Sequence, residues 1–95
     1  MRILGYEYSL DASKTIEELG GNMGFCNFSL QQISVARDIK MDGKLSTLVH
    51  EVIEALNYHL ELNLKHKQIS ALEVGLNQVL SENGIDLSVL LDGKK

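Results

Sequence analysis

Between Leu45 and Leu80 the apolar residues take up helical spacing twice, with only a few residues separating the two stretches. Leu45, Leu48, Val49, Val52, Ile53, Leu56 and Leu60 fall into one stripe at about 100° per residue, which predicts a helix from about Lys44 to Glu61. After the short connection Asn63-Leu64-Lys65, a second stripe of Ile69, Leu72, Leu76, Val79 and Leu80 runs until Asn83-Gly84 stops it. Two helices joined so closely must pack antiparallel, so the second half of the chain is a helical hairpin with one shared core face.

The first half reads as strands. Arg2 to Tyr8 is aromatic and β-branched enough for a strand that Gly5 weakens or bulges. Asp11-Ala12-Ser13 predicts a cap for a short helix over Ser13 to Leu19, which Gly20-Gly21-Asn22 ends. From Gly24 to Arg37, Phe25 and Asn27, then Gln32 and Ser34, alternate with Cys26 and Phe28, then Ile33 and Val35, a β-hairpin turning through Ser29-Leu30-Gln31. Strands followed by helices make the class α+β: a small antiparallel sheet of about three strands, then the helical hairpin. With 95 residues, no proline, no repeat and no linker, residues 1–95 form one domain. A chain of this size buries only ~60–65% of its unfolded surface, so a homodimer or a bound ion would add needed stability.

Composition removes several function classes. Nine Lys+Arg against thirteen Asp+Glu give a net charge of −4 without a dense basic run, which argues against a nucleic-acid partner. Lys94-Lys95 reads as a solvated tail. The single cysteine, Cys26, can form neither an internal disulfide nor a four-cysteine zinc finger and is expected to pack as a small hydrophobe. Short apolar runs give no membrane span, and Met1 to Tyr6 soon meets Glu7 without a signal-peptide stretch, so a cytoplasmic location is expected. Gly20 to Gly24 lacks the residues of a phosphate-binding loop, and no Gly-x-Ser-x-Gly elbow occurs. Metal chemistry, with His and carboxylate as ligands, is the enzymatic reading left.

That chemistry centres on His50-Glu51-Val52-Ile53-Glu54. On a helix, residues four apart stand one above the other, so His50 and Glu54 point the same way and can share a cation, while Glu51 points about 100° away. His50, Glu54, Asn57 and Glu61 share a polar stripe roughly 120–160° from the apolar one. On the second helix, Glu73 lies at the edge of the apolar stripe and His66 in nearly the same direction. If the chain reverses through residues 62–65, Glu73 faces Glu54, and the two carboxylates need a cation or a shared proton between them. Either Glu73 or His66 can be the third ligand. Imidazole is the better zinc donor, but His66 by the turn falls nearer Glu61 than Glu54. His59 lies off the spacing of the longer His-rich motif and is expected on the surface. Tyr6, Tyr8 and Tyr58 are candidates for stabilising an oxyanion or for covering the sheet.

The stretch Ser46 to Tyr58, preceded by the hairpin of Phe25-Cys26-Asn27-Phe28 and Gln32-Ile33-Ser34-Val35, resembles the minimal zincin domains of phages and mobile elements, reduced relatives of the SprT-like and ImmA/IrrE-like metallopeptidases. The likeness covers roughly residues 24–83. Its pattern, Thr-Leu-apolar-His-Glu-x-x-His-Ala-apolar, meets Thr47-Leu48-Val49-His50-Glu51-Val52-Ile53-Glu54-Ala55-Leu56, with Glu54 in place of the second histidine. The resemblance implies a zinc site with His50 and Glu54 as ligands, Glu51 as general base, and Glu73 completing the set in the gluzincin manner. It implies a peptide or protein substrate. The alternative is an inactive interaction module on the same scaffold, in which Glu51 merely faces solvent.

Overall fold

A computed structural model describes residues 1–91 of the chain, so the Lys94-Lys95 tail lies outside the described residues. The order of elements is β1 (Arg2–Ile3), β2 (Tyr6–Glu7), β3 (Ser9–Asp11), β4 (Gly24–Asn27), β5 (Gln32–Val35), α1 (Met41–Leu60), α2 (His66–Glu82) and α3 (Ser88–Leu91). The class is α+β, with the expected β4–β5 hairpin and helical hairpin both present.

The N-terminal stretch differs from the single strand expected over Arg2 to Tyr8. Leu4 and Gly5 both have positive φ, 52° and 84°, so the chain reverses there and β1 pairs antiparallel with β2. Positive φ at both central residues is what a two-residue hairpin turn requires, and Gly5 supplies one of them without strain. Gly5 therefore marks a turn rather than a bulge. The strand that joins the main sheet is β3, and it runs parallel to β5, giving a mixed sheet in the order β3-β5-β4 rather than an antiparallel one. The chain between β3 and β4 passes across the sheet, which leaves the central place for β5.

That crossing segment holds no helix over Ser13 to Leu19. Asp11 Oδ1 accepts the Ser13 N–H at 2.9 Å, and Thr15 and Glu18 exchange bonds, Glu18 N–H to Thr15 Oγ1 at 3.2 Å and Thr15 N–H to Glu18 Oε1 at 2.9 Å. The cap thus begins at Thr15 and closes a single turn, which Gly20 and Gly21, both at positive φ, end at once.

Helix α1 begins three residues before the expected Lys44 and lies across the sheet. Tyr8, Ile33, Val35 and Leu48 are fully buried between them, with Ile3, Cys26 and Ala55 in the same core. A smaller cluster of Val49, Ile53 and Ile69 joins α1 to α2. His59 is not a free surface residue: its Nε2 meets the hydroxyl of buried Tyr8 at 2.6 Å, and Tyr6 stacks on its ring, which fastens the β1–β2 hairpin to the end of α1. No helix among the described residues is long and apolar enough to cross a membrane.

Gly24 sets how closely β4 approaches α1. A Cβ there would come within 2.3 Å of Thr47 Cγ2 and 3.0 Å of the Ser34 carbonyl oxygen, one of them backbone and neither able to retreat far. Gly24→Ala is expected to force the strand and helix apart and to cost about 1–3 kcal/mol in chemical denaturation. A change below about 0.5 kcal/mol would mean that this close approach does not hold the two elements in place.

Candidate metal centre

The connection between the helices decides what meets across them. α1 ends at Glu61 in the left-handed conformation, and Asn63 follows with φ 57°. The chain then folds back along the last turns of α1, where Asn57 Oδ1 accepts the Leu64 N–H at 2.9 Å. Gln68 Oε1 accepts the Lys65 N–H at 2.8 Å and starts α2 there. Because residues 61–65 run back beside α1, α2 begins level with its interior rather than with its end. Two expectations change as a result: His66 lies against His50 and Glu54 instead of beside Glu61, and Glu73 faces His50 instead of Glu54.

His50 sits at the middle of the group. Its Nδ1 is 2.8 Å from Glu73 Oε1 and its Nε2 is 3.4 Å from Glu54 Oε2. The His66 ring lies 5.6 Å from that of His50, centroid to centroid. One ligand atom from each of His50, Glu54 and His66 falls within 4.8 Å of the other two, so these three residues could hold a metal ion. Donors bound to zinc at about 2.0–2.1 Å in a tetrahedron stand roughly 3.3 Å apart, so the His50–Glu54 separation already fits and His66, which is exposed, has a short distance to close.

Glu73 has a different place from that of a third ligand beside Glu54. With the proton on Nδ1, His50 donates to the Glu73 carboxylate, which leaves Nε2 as the free donor on the cluster side. Glu73 is itself held: Ser46 Oγ donates to its other oxygen, Asn77 Nδ2 donates to Ser46 Oγ at 3.3 Å, and Asn77 Nδ2 also reaches the Glu73 carbonyl at 2.9 Å. Neither Ser46 nor Asn77 was expected at the site from the sequence. Each stands four residues from a site residue, Ser46 before His50 and Asn77 after Glu73, and that spacing was the available signal.

Glu51 is buried, 8% exposed, rather than solvent-facing. It lines a cavity of about 410 Å³ together with Gly24, Thr47, His50, His66, Ser70 and Glu73, and a second of about 270 Å³ with Cys26 and Glu54. Gly24 leaves room for its carboxyl, since a Cβ there would stand 3.2 Å from Glu51 Oε2. Burial pushes the Glu51 carboxyl up to about 7; His50 draws it down, while Glu54 and Glu73 raise it further. Burial likewise pushes the Cys26 thiol up to about 12, with Glu51 and Glu54 adding to the effect, so it stays protonated and packs as an apolar group. Tyr8 bonds His59, Tyr58 stacks on Phe28 and Tyr6 on His59, so the tyrosines cover the opposite end of α1 from the cavity lined by Ser46, Thr47 and His50.

Compared with protein-family models, with curated proteins and with solved structures, the chain matches none.

The raised Glu51 carboxyl fixes the sign of a pH effect on stability in the chelated protein. The folded state holds the proton more tightly than the unfolded chain, so no penalty exists below about pH 4.5, and it grows as pH rises through about 7. Glu51→Gln removes the ionisation and is expected to gain on the parent progressively over that range, reaching about 3 kcal/mol above pH 7. A stability difference that does not change with pH, in denaturant titrations with chelator present, would contradict the burial of this carboxyl.

Proposed function

We propose that the protein is a minimal zinc-dependent hydrolase of the peptidase type, as its resemblance to the small zincins implies. The observation that carries the reading is the convergence of the ligating atoms of His50, Glu54 and His66 within 4.8 Å, with the Glu51 carboxyl lining both the cavity that His50 and His66 border and the one that Glu54 borders. Two imidazoles and one carboxylate are a donor set typical of catalytic zinc, and three protein ligands leave a fourth position open. A divalent cation bound there would supply Lewis-acid polarisation of a carbonyl and a water acidic enough to react near neutral pH.

The chain's own residues supply the rest. Glu73 fixes the ring of His50 and the tautomer that presents Nε2, with Ser46 and Asn77 holding Glu73 in turn. Glu51, in its ionised form, takes a proton from the attacking water and returns it to the leaving amine. The cavity volume of about 410 Å³ admits a short stretch of peptide. Because His66 supplies the second imidazole, Glu54 in place of a histidine still leaves the set at two imidazoles and one carboxylate.

Metal titration into chelated protein tests the ligand assignment. His66→Ala is expected to weaken zinc binding by more than about 100-fold, and Glu73→Gln, which leaves all three ligands in place, by about 10–100-fold. Equal affinity in His66→Ala and the parent would remove His66 from the site. Cleavage of a peptide library tests the chemistry: Glu51→Gln should keep zinc and the fold while losing about 10²–10⁴ in rate. Zinc binding without cleavage by the parent protein would favour the interaction module.

A further inference from the structure

Helix α2 leaves an apolar stripe uncovered by its own chain. Leu72, Leu76 and Val79 recur at helical spacing and are 45%, 44% and 54% exposed, whereas Ile69 is the buried residue of this helix. On a helical wheel the stripe lies roughly 120° from Glu73 and Asn77, so it is a separate face from the one that meets His50. It continues at Leu76 into an apolar groove of about 460 Å³, bordered by Leu80, Leu87, Leu90 and Leu4. An exposed apolar surface of this extent on a small chain marks an interface.

The charges of α2 say what covers it. Lys65 and Lys67 stand at its N-terminal end, while Glu82 and Asp86 stand at or beyond its C-terminal end, and its first turn has no acid and its last turn no base. This is the unfavourable order for the helix macrodipole, which is positive at the N-terminus. None of the four enters an ion pair among the described residues. A second α2 laid antiparallel on the first would set the basic end of each against the acidic end of the other and oppose the two macrodipoles. The spacing fits a two-fold axis: Lys65, in the direction of the stripe, lies eleven residues before Leu76, and Asp86 lies ten after it. A stripe that is its own complement under a half-turn is what an isologous interface requires.

We propose that the chain forms a homodimer through antiparallel α2–α2 pairing, with Leu76 at the two-fold axis. The metal-ligand face stays open in such a dimer, so each subunit keeps its own site.

Sedimentation equilibrium of the full chain at ~100 µM tests this, with twice the 10.6 kDa chain mass expected and a dissociation constant that rises with salt. Leu76→Lys sets two like charges together at the axis and is expected to weaken association by at least ~100-fold. Should that variant fail to fold, oxidation supplies a second readout. Leu76→Cys is expected to cross-link into a covalent dimer, whereas Val74→Cys, 68% exposed on the far side of α2, is not. A monomeric parent at this concentration, a dimeric Leu76→Lys, or equal cross-linking of the two cysteine variants would overturn the proposal. Zinc affinity is expected to be the same in dimer and Leu76→Lys monomer, so failure of the dimer leaves the metal-site reading standing.

Discussion

Three glutamates, Glu51, Glu54 and Glu73, converge on the single imidazole of His50, and the first of them is buried. So much negative charge in the interior of a small domain needs a positive partner, because a buried carboxylate without one costs several kcal/mol. The Lys and Arg side chains do not provide it; the ion pairs made by the described residues at this place use histidine alone. Protonation of Glu51 relieves part of the repulsion, and a divalent cation on His50, Glu54 and His66 would relieve most of it. The same constraint explains why Gly24 is bare and Thr47 small, since the carboxyl of Glu51 occupies the space between strand and helix.

The framework that brings these groups together depends on one long helix with two uses. One side of α1 closes the sheet through Leu48 and Ala55, and another receives α2 through Val49 and Ile53. His50 and Glu54 fall between those two apolar faces, which is why they are half-buried although the sequence gives them polar neighbours. The fold-back held by Asn57 and Leu64 then places His66 and Glu73 on either side of His50.

The periodicity of the second half made both helices legible, and the alternation around Cys26 and Ile33 made the β4–β5 hairpin legible. The turn at Leu4-Gly5 was hidden because leucine rarely takes positive φ, so only half of its signal was written in the residues. The parallel pairing of β3 with β5 rests on a contact distant in sequence that local patterning does not encode. At the site, His50, Glu51 and Glu54 followed from spacing within one helix, whereas the partners across the hairpin did not. A symmetric reversal through residues 62–65 put Glu73 one turn too far along, since the five residues after Leu60 run back along α1 instead of simply turning. His59 was read as exposed because its partners, Tyr6 and Tyr8, lie some fifty residues away.

The central claim, that His50, Glu54 and His66 together hold a metal, is tested most directly by X-ray absorption at the zinc edge on stoichiometrically loaded protein. The account predicts a first shell of nitrogen and oxygen near 2.0–2.1 Å with the outer-shell scattering of two imidazoles, falling to one in His66→Ala. A spectrum with a single imidazole in the parent protein, with sulfur from Cys26, or with an unchanged pattern in His66→Ala would contradict it.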